Sequence, residues 1–594
     1  MWIMQDLKKV LEQSWDHYKK HKIDPVTNRP LSTPDSLDFG ASGNKNFMTF
    51  SETVAYVLFR AVWMNDKQTF DKVWEWASTN MWRKNIREVF CWQINQWGDV
   101  PYLRKDNLFA WRYVNNIKRT GQGGIIFFKW DPNEVLWRDG LDSSPIGDEL
   151  IATSLILAHC LWGSQKGDLD YLLAGKAIVS DIWNKCVKKI TPGVIDTFPD
   201  HSHLKPWFIY NASDTLLTKT LSKGPSPTST AMEINYYVPH TKWAGVGRKI
   251  DNTDLSSLQA FSFTCKGEEG HKLKIILRGK NKQNTNDSTD AFIDIMLSAN
   301  WKDYSFNLSD FKGTEKIDWG KINSIFFQVE DNNNKGFFAI TDIKVIDKDE
   351  KAPDTHYHLT SNDKGEPWIN TSYYLPFVYN SLFKKIDPHH NWQELNKTAY
   401  IDAELGSKAT LFDEENIPHT GNIHLIPDWF ALTPTGKPAN IPWANNLYTN
   451  DYMHGKSATR FDFFVSLDYI WNNNPLAKKY IYDTGPYNFY KKELEEKDSI
   501  CRGYAIDGKI MKFINQADKE SCGSYGNYLS LFSARDDKEN ANKILNKIMQ
   551  KYNKEGYWGN DPLDYYDQNW TWLGVAFFAD RGLQLRETIE KNLT

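Results

Sequence analysis

The chain has 594 residues, 41% apolar and 25% charged, with 71 basic against 75 acidic residues and a net charge of −4. This is a globular composition, too long for one compact core of ordinary size, and the lack of a basic excess argues against a nucleic-acid partner. The 25 Trp, 28 Tyr and 32 Phe are the outlier; all three fill bulky cores, and the flat rings of Trp and Tyr, with their polar edges, also suit sugar faces.

In chain order, Leu7, Val10, Leu11, Trp15 and Tyr18 repeat at helical spacing and predict a first helix. In "TFSETVAYVLFRAVW", Val54, Val57, Leu58, Ala61 and Val62 form the next stripe. Ser51 is its expected N-cap and Glu52 lies in its first turn. Asn65-Asp66 breaks this helix, and Phe70, Val73, Trp74 and Ala77 begin its partner, completing a helical hairpin. Ile151, Ser154, Leu155, Ala158 and Trp162 repeat the pattern, as do Tyr171, Ala174, Ile178, Val179 and Ile182 after the turn "GSQKGD". Further helices are expected after Pro376 and in "SATRFDFFVSLDYIW", "DDKENANKILNKIMQKYN" and "NWTWLGVAFFADRG". Residues 205–347 read differently. "KLKIILRG", "AFIDIML", "YSFNLS", "SIFFQVE" and "FFAITDIKVI" alternate with period two between turn-rich pieces. The expectation is an all-β sandwich at 205–347, inserted between helical parts at 1–204 and 348–594 through exposed connectors.

The six cysteines form no CxxC or metal-ligand spacing. Cys160 and Cys186 fall in helical patterns as core thiols, whereas Cys501 and Cys522 flank a loop-rich stretch and are a candidate disulfide. Paired histidines in "PDHSHL", "THYHL" and "DPHHNW" lack a third ligand and are read as loop residues. "TGQGG" at 120–124 is read as a hairpin tip. No signal-peptide pattern and no membrane-spanning apolar run is found.

"SETVAYVLFRAVWMNDKQTFDKVWEWASTNM" resembles the signature of glycoside hydrolase family eight. In the same order follow "LFAWRY", "SPIGDELIATSLILAHCLWG", "NTSYYLP", "IPDWFAL", "SATRFDFFVSLDYIW" and "DYYDQNWTWLG". The resemblance implies a mainly α fold, an (α/α)6 barrel of helical hairpins, and an inverting hydrolase of β-1,4-linked glycans of the xylan or glucan type. It makes Glu52 the general acid. Such a donor must hold its proton near neutrality, which burial among aromatics promotes and a helix N-terminus opposes. Tyr56, Trp111, Glu149, Tyr373 and Arg460 become substrate-binding residues. Trp111 would stack on a sugar, Tyr373 would orient the attacking water, and Arg460 would pair with an acid in the cleft.

Two acidic positions of that family pattern are lost: the usual base falls on Ser457, and a sugar-contacting Asp falls on Ile146. A serine hydroxyl cannot take a proton from water at useful rates. Three explanations stay open: a displaced base, with Asp148 foremost and Asp451 and Glu149 as alternatives; a glycan-binding pseudoenzyme on the same scaffold; or a gap in the register. Asp428 is expected to brace the next segment. The β insert resembles carbohydrate-binding modules of the jelly-roll type. A structural calcium is a feature of many such modules, and no other cofactor is implied. Trp243 and Trp301 are candidates for a binding platform or for core. The implied partner is a β-linked polysaccharide or oligosaccharide. The implied place is outside the cell, secreted or on its surface, with the cytoplasm as the alternative.

Overall fold

The computed structural model describes residues 4–32, 48–86, 89–91, 105–114, 125–127, 141–164, 170–199, 201–204, 206–253, 255–256, 258–284, 287–330, 334–347, 355–363, 368–413, 415, 417–441, 451–511, 519–580 and 582–593. The expected hairpin tip at 120–124 lies outside them. The chain divides into two compact units, one of residues 1–188, 357–430 and 443–594, the other of 189–356 and 431–442. The second takes in more chain than the expected 205–347. Val194–Asp196 already pairs with one of its strands, and 431–442 joins it from far along the sequence.

The first unit is mainly helical. Ser51–Trp63 packs against Pro145–Trp162, and that helix also meets Thr371–Tyr373. The chain runs on into Pro376–Val378 beside Lys456–Asn472, which packs on Cys522–Ala534; this in turn packs on Tyr565–Asp580, which touches Ser51–Trp63 again. These helices are buried on nearly all sides. Their apolar residues therefore do not keep to one stripe. Even the Ser51–Trp63 helix, read as a single apolar face, also buries Thr53, Ala55, Tyr56, Phe59 and Arg60.

Lys67–Asn80, Tyr171–Cys186 and Lys538–Gln550 bury one face each. In the last, Ala541, Ile544, Leu545 and Ile548 point inward and the charged residues outward. Cys522–Ala534 and Tyr565–Asp580 come closest together: a Cβ on Gly574 would lie 2.4 Å from Gly526 Cα. Cys501 and Cys522 are buried thiols that form no disulfide, which corrects the disulfide expectation.

The second unit holds two antiparallel sheets. One orders Ser288–Met296, Lys272–Asn281, Ile317–Glu330, Trp243–Thr253 and Trp207–Asn211; the other orders Lys302–Phe306, Leu258–Gly267, Asn334–Asp347, Thr230–Val238 and Leu216–Lys223. Inward residues of both, among them Trp207, Phe263, Ile275, Phe327 and Ile340, make one apolar core. Five of these strands match the period-two stretches read from the sequence. Phe208, Tyr210 and Phe326 gather over Gly245 and Gly247, where an added Cβ would meet Tyr210 Oη at 2.9 Å and the Phe326 ring at 2.5 Å. Trp243 stands beside Tyr210 at 5.3 Å between centroids and is partly exposed. Trp301 has the Lys266 ammonium 5.0 Å from its ring.

Candidate active site

The site is built where helices begin. Phe50, which brings no capping side chain, precedes Ser51–Trp63, so Ser51 is the first helical residue rather than the N-cap. The neighbouring helix Pro145–Trp162 carries proline in its first turn, where its missing N–H leaves no bond unmade. Gly147 lets the two helix starts touch: a Cβ there would lie 2.6 Å from Ser51 Oγ. Lys456–Asn472 starts against Asp428, whose Oδ1 accepts from the amides of Gly455 (3.0 Å) and Ala458 (2.7 Å). Burial pushes the Asp428 carboxyl up to about 6, against the pull of those amides and of Arg460. This is the bracing role expected of it.

Glu52 is the second residue of its helix, and its side chain is 18% exposed. Its Oε2 accepts from Arg460 Nη1 at 3.1 Å and from Tyr56 Oη at 3.2 Å; its Oε1 accepts from Ser144 Oγ at 3.4 Å. Arg460 is buried and also donates to Tyr56 Oη (3.1 Å) and Ser457 Oγ (3.2 Å). The acid expected to pair with Arg460 is therefore Glu52 itself. Burial and then the Glu52 charge push the phenols of Tyr56, Tyr373 and Tyr565 upward.

Glu52 and Arg460 face a cavity of about 460 Å³, within the range of small-ligand sites. Glu52, Tyr373, Ser457 and Arg460 line it together with Lys456, Arg502, Asp561, Leu563, Asp564, Tyr565 and Tyr566. Asp564, Tyr565 and Tyr566 fall within the motif "DYYDQNWTWLG" but carry no individual signal in the sequence, and neither do Lys456, Arg502 and Asp561. Among the described residues, no group of three or more His, Cys, Asp and Glu comes together to hold a metal ion. No described helix is long and apolar enough to cross a membrane.

Four expected site residues, Asp148, Glu149, Tyr56 and Trp111, lie outside that lining, and Tyr56, fully buried, meets Glu52 and Arg460 instead of a ligand. Asp148 is fully buried and does not line the cavity. Its Oδ1 accepts the Phe109 amide at 2.7 Å, and burial pushes its carboxyl well above the ordinary range. Sealed from water, it cannot draw a proton from an attacking water molecule. Glu149 is fully buried as well and accepts both ways from Tyr379 Oη, at 2.9 and 3.0 Å. It braces the Pro376 segment instead of touching a ligand. Asp451 is buried and absent from the lining, and Ile146 is fully buried.

Trp111 is half-buried and lies outside the lining. Its indole stacks on Phe50 at 5.5 Å, and Phe50 in turn meets Tyr565 at 5.9 Å. A row of rings thus leads from Trp111 to the cavity wall.

Residues 6–108 match the family model described as glycosyl hydrolases family 8, and Glu52 and Tyr56 fall inside the match. Endoglucanase 2 of Ruminiclostridium josui is 23% identical over 205 residues, 34% of this chain and 33% of that protein. Endoglucanase C of Ruminiclostridium cellulolyticum is 24% identical over 143 residues, 24% of this chain and 23% of that protein. The chain thus spans a third or less of the curated relatives it matches. Among solved structures, Rex8A from Paenibacillus barcinonensis complexed with xylose aligns with 99% of this chain and 94% of its own, at 13% identity and a TM-score of 0.48.

Proposed function

We propose that the protein is a glycoside hydrolase related to family 8, acting with inversion on β-1,4-linked glucan or xylan, with Glu52 as its proton donor. One observation carries this: the acid inside the family match lines a cavity and is held by Arg460, Tyr56 and Ser144. On this reading the succession of mutually packed helices is an (α/α)6 barrel. Tyr373 and Tyr565 are the aromatic walls, and the row Trp111–Phe50 extends the cleft. Inversion needs a second carboxylate roughly 6.5–9.5 Å from the donor, with a water between. A polymeric substrate places the action outside the cell. The β unit serves as a glycan-binding module, its face of Phe208, Tyr210 and Trp243 offering rings to sugars.

Ser457 favours a second reading, a binder that does not cleave, since Arg460 holds a hydroxyl where a base would stand. Incubation with xylan, barley glucan, carboxymethyl-cellulose and chitosan separates the two. New reducing ends that vanish in Glu52→Gln support the hydrolase; retention on an affinity gel with no release supports the binder.

A further inference from the structure

The geometry points to Asp564 as the general base of this site, an assignment that rests on the hydrolase reading. Among the described residues, the cavity that holds Glu52 has two other carboxylates in its lining, Asp561 and Asp564. The other candidates are spent or sealed: Asp148 and Glu149 lie fully buried, and Asp428 is taken up by the amides of Gly455 and Ala458.

Of the two, Asp564 is the fixed one. Its Oδ1 accepts from the amides of Tyr566 (2.9 Å) and Asp567 (3.0 Å). Its Oδ2 faces the Lys456 ammonium across 3.7 Å, beyond hydrogen-bond length, with lone pairs left for a water. The turn carrying it is pinned: Lys22 Nζ donates to Leu563 O at 2.7 Å, and Gln568 Nε2 donates to Asp561 O at 3.1 Å. Asp561 is an exposed turn residue whose Oδ1 is used by the Leu563 amide. The next residue after Asp564 is Tyr565, which shares the lining with Glu52 and feels its charge. A sugar in the cavity would therefore have Glu52 and Asp564 among its walls.

In the step assigned, a water O–H bond breaks and its proton passes to Asp564 Oδ2 while the oxygen bonds the anomeric carbon. The electrons of the glycosidic C–O bond go to the leaving oxygen, which takes the proton of Glu52. One water is added across one bond, and exchange with solvent resets both carboxyls. The base has moved from the helix start at Ser457 to the turn before Tyr565–Asp580.

The test uses the full chain on barley glucan and xylan. Asn caps a helix as well as Asp does, so Asp564→Asn keeps the fold while removing the base. Its kcat is expected to fall by about 10²–10⁴-fold, with KM and melting temperature near wild type. Asp564→Ala is expected to regain turnover in sodium azide and to yield a glycosyl azide of inverted configuration, because azide attacks without losing a proton. Glu52→Gln should show no such rescue. An active wild type with an equally active Asp564→Asn, or a loss that follows Asp561→Asn instead, overturns the assignment alone. A wild type that releases nothing from any glycan overturns the hydrolase reading and the assignment with it.

Discussion

Glu52 and Asp148 are both first-turn acids on two helices that touch at their starts, yet one opens on a cavity and the other is sealed inside the protein. The difference is one of phase. Glu52 is the second residue of its helix and Asp148 the fourth; two residues turn a helix by roughly 200°. The residue of the second helix that shares Glu52's position is Ile146, which is apolar and buried. From that helix start, Ser144, just ahead of the first turn, donates to Glu52. Having an acid near a helix start therefore decides little; its place within the first turn decides whether it meets ligand or core.

The largest expected effect tests the open side of this pair. Glu52→Gln keeps the shape and the bond from Arg460 but cannot give up a proton. Its kcat should fall about 10²–10⁴-fold, the worth of a positioned acid, with melting close to wild type. Initial rates on barley glucan beside a thermal melt check it; a variant that keeps a tenth of the rate removes Glu52 from the chemistry.

Arg460→Lys comes next. One planar guanidinium reaches Glu52, Tyr56 and Ser457 together, and an ammonium cannot reproduce that fork. A fall of about 10-fold or more in kcat is expected. The stability loss should stay under the 3–5 kcal/mol typical of a broken fully buried pair, because the Glu52 carboxylate still reaches solvent. Urea melts and kinetics on the same preparation separate the two effects.

Gly147→Ala acts on the contact that joins the helices. The added methyl would meet Ser51 Oγ at 2.6 Å, and overpacking of this kind costs about 1–3 kcal/mol. Ser51→Gly in the same chain removes the atom in the way and should restore most of the stability. Denaturant midpoints of the single and double variants decide it; two independent losses that add would mean the contact does not matter.

Much of this was legible in the sequence, for identifiable reasons. Lys67–Asn80 and Lys538–Gln550 were legible because one wet face leaves a stripe. Cys522–Ala534 was not expected at all: "CGSYGNYLSLFSA" is rich in Gly and Ser, poor helix formers, and it is helical because close contact at Gly526 surrounds it. Arg460's buried acidic partner was foreseen from its apolar helix, but a periodicity argument cannot name a partner 408 residues away. Asp564 was hidden for another reason. A capping aspartate and a cavity carboxylate look the same in one dimension, and only the fold brings that turn beside Glu52.

The sealed side of the pair gives the smallest effect and a distinctive one. Burial raises the Asp148 carboxyl far above its ordinary value; the Phe109 amide and Arg83 oppose this without cancelling it. Above the ordinary carboxyl pKa of about 3.9, the unfolded chain has released a proton that the folded chain still holds. Stability then falls as pH rises, opposite in sign to the usual salt-bridged aspartate. Asp148→Asn keeps an oxygen for the Phe109 amide and has no proton to lose. The variant should melt close to wild type near pH 3.5 and progressively above it toward pH 8, while its rate on glucan drops far less than that of Glu52→Gln. Melting curves of both proteins across that range give the answer, since other titrating groups cancel in the difference. A gap that stays constant with pH would mean that Asp148 ionises in the fold as readily as in water, and the contrast with Glu52 would then rest on position alone.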